Sequence, residues 1–257
     1  EIRTTLQALI AIYDNCNNIH FFQPSMLEQI NQRILMEEAL ETAINEEQFI
    51  LHYQPQVDLQ GRIISAEALV RWQHPTKGLV LPGEFISIAE NSQLIFPIGQ
   101  WVIRKACQQI VEWESKGQQL DHVSVNVSPK QFRQDDFGSQ VKSIIKETGV
   151  MAHQLMLELT ENILIDDFDD TVKKMNQLNK CGVTFSIDDF GTERSSLAYL
   201  KELPLKELKI DQSFIRDILM NDNDAVIVET IISMADSLGL DIIAEGVETQ
   251  DQLTLLN

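Results

Sequence analysis

Several side chains able to hold a hard cation recur at the ends of short apolar runs. Glu67 lies in Ser65-Ala66-Glu67-Ala68-Leu69, and Asn126 in Val125-Asn126-Val127-Ser128. Glu158 lies in Leu157-Glu158-Leu159, Asp188 and Asp189 follow Phe185-Ser186-Ile187, and Glu245 follows Ile242-Ile243-Ala244. Lys209 stands between Leu208 and Ile210. Carboxylates gathered at one point repel each other and raise one another's pKa unless a cation lies between them. Oxygen ligands of this kind suit magnesium or manganese. Two such ions, roughly 3.5–4 Å apart, activate a water and stabilise charge on a phosphoryl group. Adjacent Asp188 and Asp189 face opposite ways in an extended strand, but a turn there lets one bridge two ions while the other serves the second. Taken singly, an acid at a strand end is more often a helix cap than a ligand. Asp189 could cap a following helix, and Glu161 could cap or bind a loop. Glu67, between two alanines, is harder to set aside, because a lone carboxylate in an apolar strand is costly to bury. Lys209 raises the same question.

The elements that must position these residues alternate. Strands are expected over residues 49–54, 63–72, 122–127, 155–159, 183–187, 207–210 and 242–244. Asp58-Leu59-Gln60-Gly61 reads as a turn between the first two. Helices are expected over 101–116, then up to Gly149, up to Cys181-Gly182, over 195–203 and over 226–238, with a last one starting at Asp251. Strand–helix alternation implies parallel pairing through right-handed crossovers. The fold class is therefore α/β, a TIM-like (β/α) barrel with its first strand expected to be antiparallel, whose C-terminal strand ends form the active rim. Seven strands are counted from Phe49, so a closed eight-stranded barrel would need a last strand that the sequence does not include.

The chain has 257 residues, 44% of them hydrophobic, which fits one large domain. No apolar run approaches the roughly 20 residues of a membrane span, and Glu1-Ile2-Arg3 opens no secretory signal, so the sequence reads as a fragment of a longer protein. A net charge of −19 would repel duplex DNA. A small anionic substrate remains compatible where metals supply positive charge locally. Cys16, Cys107 and Cys181 are odd in number and widely spaced, and read as buried free thiols in a reducing cytoplasm. His52, His74, His122 and His153 lack ligand spacing and read as structural. Residues 1–24 are expected to be the tail of an upstream domain, 25–47 a helical connector and 48–257 the barrel.

From about residue 48 onward the chain resembles the EAL domains, phosphodiesterases acting on cyclic di-GMP. The resemblance is carried by Tyr53-Gln54-Pro55, Glu67-Ala68-Leu69-Val70-Arg71-Trp72, Asn126-Val127-Ser128, Glu158-Leu159-Thr160-Glu161, Asp188-Asp189-Phe190-Gly191, Lys209-Ile210-Asp211 and Ala244-Glu245-Gly246-Val247-Glu248. It implies that Glu67, Asn126, Glu158 and Asp188 bind a first Mg2+ or Mn2+, and Asp188 and Asp189, with Glu245, a second. Calcium is expected to occupy the site and inhibit. The resemblance further implies that Lys209 holds the attacking water and that Glu245 is either a ligand or a general base. Gln54, Leu69, Arg71 and Asp211 would bind the substrate, and Glu161 would steady the loop after the fifth strand. The implied product is linear pGpG and the implied assembly a homodimer. Residues 8–22 resemble the end of a GGDEF domain, so the whole protein could be tethered to the inner membrane by upstream segments. The family loop usually reads Phe-Gly-Thr/Ser-Gly-Tyr-Ser-Ser, whereas this chain has Glu193-Arg194 at its fourth and fifth positions. Relatives also carry a last strand with a Gln-Gly pair. The competing reading is a non-catalytic cyclic di-GMP receptor that signals through protein partners.

Overall fold

The computed structural model describes residues 24–163, 168–191 and 200–256. The GGDEF-like tail, Cys16, Glu193-Arg194 and the greater part of the helix expected over 195–203 lie outside the described residues.

The chain enters through α1 (Pro24–Asn45) and forms a hairpin of β1 (Phe49–Val57) and β2 (Ile63–His74). These strands are antiparallel, with Gln54 opposite Glu67 and Tyr53 opposite Ala68. The expected turn joins them. Asp58 Oδ1 accepts from the backbone N–H groups of Gln60 and Arg62, each at 2.9 Å, and Gly61 adopts φ 76°. Such a left-handed turn position favours glycine, which has no Cβ to crowd the backbone.

Two elements between the hairpin and the next helix went unread in the sequence. They are β3 (Gly78–Val80), which pairs antiparallel with the end of β2, and α2 (Pro82–Asn91). β3 is too short to show a period, and Pro82-Gly83 reads as a turn although proline suits a helix's first turn. For a similar reason α3 (Ile95–Ser115) starts earlier than expected. Pro97 lies in its first turn, where a missing N–H costs nothing.

The remaining strands are β4 (His122–Val127), β5 (Leu155–Thr160), β6 (Thr184–Phe190), β7 (Glu207–Ile210) and β8 (Asp241–Ala244). Along the path β1-β2-β4-β5-β6-β7-β8 every pair after the hairpin is parallel. The crossovers contain α4 (Pro129–Phe132), α5 (Phe137–Thr148), α6 (Phe168–Asn179), α7 (Gln212–Arg216) and α8 (Asp222–Leu238), and α9 (Gln250–Leu255) follows β8. Gly149 and Gly239 end α5 and α8 in the left-handed conformation, as their spacing implied. Among the described residues, seven strands thus form a curled, mostly parallel sheet, with β3 as a side branch, in agreement with the expected barrel-type α/β class and antiparallel first strand.

Strand alternation sorts the side chains into two layers. Val123, Val125 and Val127 of β4 join the hydrophobic core with Leu155, Leu157 and Leu159 of β5 and Phe185 and Ile187 of β6. Helix α3 packs on the β4 side of this layer with Ile98, Val102, Ile103, Ala106, Cys107 and Ile110, a stripe at helical spacing. The alternate positions face the other way: Ser124, Met156, Glu158, Ser186, Glu207 and Lys209, all buried. The sheet interior is therefore unusually polar. Burial raises the Cys107 thiol to about 12, which keeps it inert. Cys181 is exposed, correcting the expectation of a buried thiol. It follows the last turn of α6, where the chain leaves the core. No helix among the described residues is long and apolar enough to cross a membrane.

Candidate active site

Parallel pairing in this register stacks the rim residues side by side. Asn126 of β4 is paired with Glu158 of β5, and Thr160 of β5 with Asp188 of β6. Lys209 comes from β7, and Glu245 follows β8, its N–H bonded to the Ile210 carbonyl at 3.1 Å.

These side chains converge on one ammonium. Lys209 Nζ lies 3.1 Å from Glu67 Oε2, 3.0 Å from Glu158 Oε2, 3.2 Å from Asp188 Oδ1 and 2.7 Å from Glu245 Oε1. Glu67 is completed by Asn126, whose Nδ2 donates to Glu67 Oε1 at 2.7 Å. Burial opposes the charge on Lys209, but the four carboxylates outweigh it and hold its pKa well above the lysine range. Burial also pushes Glu158 up to about 8, against the pull of Lys209. The Glu245 and Asp189 carboxyls are raised as well, chiefly by burial. One cation shared among four acids leaves excess negative charge in a low-dielectric pocket.

Asp189 departs from the extended strand. Its φ is 55°, its N–H donates to Asp188 Oδ1 at 3.0 Å, and the β6–β7 register shifts between Ile187 and Phe190. A left-handed residue costs about 1–2 kcal/mol unless its side chain compensates locally, and such strain collects at functional sites. The consequence here is that two adjacent acids need not face opposite ways. Carboxylate oxygens of Asp188, Asp189 and Glu245 all lie within 4.8 Å of one another.

The hairpin brings in the other predicted residues. Gln54 is exposed opposite Glu67, and Leu69 and Arg71 follow Glu67 at two-residue steps on the same face. Arg71 Nη1 donates to the Val70 carbonyl at 2.9 Å. Asp211 has a second task as the N-cap of α7, accepting from the Ser213 N–H at 2.9 Å. It also interacts with the Asp189 carboxyl. Glu161, just beyond β5, is buried, while residues 192–199 of the loop it was expected to steady are outside the described residues.

A second polar layer, unread in the sequence, underlies the rim. Ser65, Ser124, Ser186 and Glu207 are buried two residues before Glu67, Asn126, Asp188 and Lys209. That two-residue spacing was the available signal, because it puts each pair on one strand face. At the start of β4 and β7, His122 Nε2 lies 3.8 Å from Glu207 Oε2. His74, by contrast, ends β2, and its Nδ1 accepts the Thr76 and Lys77 N–H groups of the following turn at 3.1 and 3.2 Å.

A family model described as the EAL domain matches residues 37–257. The chain is 42% identical over 241 residues to the cyclic di-GMP phosphodiesterase NbdA of Pseudomonas aeruginosa, covering 93% of this chain and 31% of that protein. It is 40% identical to the bifunctional diguanylate cyclase/cyclic di-GMP phosphodiesterase MucR of the same organism, covering 93% of this chain and 35% of that one. The chain thus spans about a third of the length of these curated relatives. A solved structure of the PaMucR phosphodiesterase in complex with c-di-GMP superposes with a TM-score of 0.83 at 41% identity, covering 86% of this chain and 90% of that one.

Proposed function

The chain belongs to the EAL domain family, and we propose that it is a metal-dependent phosphodiesterase that hydrolyses cyclic di-GMP to linear pGpG. The observation that carries this reading is the convergence of Glu67, Glu158, Asp188 and Glu245 on Lys209, each within 3.2 Å of its ammonium.

The donor set suits two hard divalent cations. Glu158 Oε1 is buried without a hydrogen-bond partner in bonding geometry among the described residues. Asp188, Asp189 and Glu245 already bring oxygens together at ligand spacing. Glu67, Asn126, Glu158 and Asp188 would hold one Mg2+ or Mn2+, and Asp188, Asp189 and Glu245 a second. Bound there, the pair would supply charge stabilisation for the phosphoryl group and acidify an attacking water.

The chain's own residues then have separate tasks. Lys209 donates hydrogen bonds and orients the water toward phosphorus. Glu245, 2.7 Å from the Lys209 ammonium, would serve either as a ligand of the second ion or as the base that takes the water's proton. Arg71 would bind a non-bridging phosphate oxygen with a charge-assisted bond. Gln54 and Leu69 would line the guanine side, and Asp211 would steady Asp189. Glu161 would hold the loop after β6.

Purified protein with Mg2+ or Mn2+ should convert cyclic di-GMP to pGpG, followed by chromatography. Product no greater than that of a Glu67→Ala control would defeat the proposal. Binding of cyclic di-GMP without turnover would favour the receptor reading instead.

A further inference from the structure

One carboxylate outside the rim is hydrogen-bonded to Ser128, two residues beyond the rim residue Asn126. Glu90 lies in the last turn of α2 and is half-buried. Its Oε1 accepts from Ser128 Oγ at 2.7 Å, and its backbone carbonyl accepts from Lys130 Nζ at 3.1 Å. Ser128 is the N-cap of α4, yet its side chain makes no capping bond to that helix. A serine at this position ordinarily accepts from a first-turn N–H. Here the hydroxyl is committed to Glu90 instead.

Glu90 is anchored on its own side. Phe85 and Ala89 of α2 are fully buried, and the Phe85 ring lies 5.7 Å from Phe49 and 5.9 Å from Trp72. Ser128 stands two residues beyond Asn126, which donates to Glu67 at 2.7 Å. Core, Glu90, Ser128, Asn126 and Glu67 therefore form one connected series.

We propose that Glu90 is a positioning residue: through Ser128 it fixes the end of β4, so that the Asn126 side chain is held in the acidic pocket in the orientation a cation needs. This rests on the metal-dependent reading above. Partners of metal ligands commonly change metal affinity by roughly 10–100-fold when removed.

The test titrates Mn2+ alone, without nucleotide, by calorimetry, alongside thermal melts of the metal-free proteins. Glu90→Ala should weaken Mn2+ binding about tenfold, with the metal-free melting temperature close to wild type. Ser128→Ala should do the same. The double variant should be no worse than either single one, because the two residues act through one bond. Glu90→Gln keeps an acceptor and should restore most of the affinity. Mn2+ binding by Glu90→Ala equal to wild type, or additive losses in the double variant, would overturn the inference. Failure of the wild-type protein to bind Mn2+ would instead bring down the metal-dependent reading, and this inference with it.

Discussion

The Lys209 ammonium lies 3.0 Å from Glu158 Oε2, and each of these two residues is only 1% exposed. Buried this deeply, an ionised Glu158 depends on the ammonium beside it. The lysine neutralises part of the acidic pocket and leaves the remainder for cations.

Replacing Lys209 by methionine should therefore destabilise the metal-free protein by about 3–5 kcal/mol, the usual cost of leaving a buried charge uncompensated. Added Mn2+ should recover more stability in this variant than in wild type, since the cation takes over the lost positive charge. Urea unfolding with and without Mn2+ measures both. Equal Mn2+ stabilisation of the two proteins would show that ammonium and metal do not share the same carboxylates.

Asp189 combines a left-handed backbone with a carboxylate, and two substitutions separate these roles. Asparagine tolerates φ 55°, whereas alanine does not. Asp189→Asn should keep the wild-type melting temperature, and Asp189→Ala should lose about 1 kcal/mol. Both should reduce turnover by on the order of a hundredfold or more, as expected for losing several kcal/mol of transition-state stabilisation. Full activity in Asp189→Asn would remove this carboxylate from the metal site.

The His122–Glu207 pair predicts two opposing pH dependences. Burial lowers His122 from 6.5 to about 4 and raises Glu207 from 4.5 to about 7. Between those values the unfolded imidazole holds a proton that the folded one rejects, so the His122 contribution to stability rises with pH. The folded Glu207 carboxyl holds a proton that the unfolded one releases, so its contribution is full at low pH and falls as pH rises toward 7. Each slope is at most about 1.4 kcal/mol per pH unit. Relative to wild type, His122→Gln should lose stability as pH rises from 5 to 6.5, and Glu207→Gln should gain it. Urea titrations at several pH values give the comparison, and profiles parallel to wild type in both variants would contradict the assignment.

Metal identity should separate binding from chemistry. Mg2+ and Mn2+ should support hydrolysis of cyclic di-GMP. Ca2+, larger and less exacting in geometry, should compete for the site, raise the melting temperature and suppress turnover. Turnover in Ca2+ at the Mg2+ rate would mean that the acids do not act by positioning a small cation.

Alternation and spacing were enough to read the seven strands of the sheet path, most of the helices between them and the placement of Glu67, Asn126, Glu158, Asp188, Lys209 and Glu245 at or near strand ends. These are local properties, because a side chain's face depends only on its position along its own strand. The family's ordered motifs carried the expected roles in the same way. Other features required the assembled sheet. Lys209 meets Glu67 across 142 residues of chain, and only the parallel register makes it the centre of four acids. The left-handed conformation of Asp189 falls where the β6–β7 pairing breaks, between Ile187 and Phe190, a break that only the assembled sheet displays. Glu90 looked like an ordinary helix-end acid until the packing of α2 brought it to Ser128. Contacts between distant segments are set by how layers pack and strands align, and that information does not reside in any one stretch of residues.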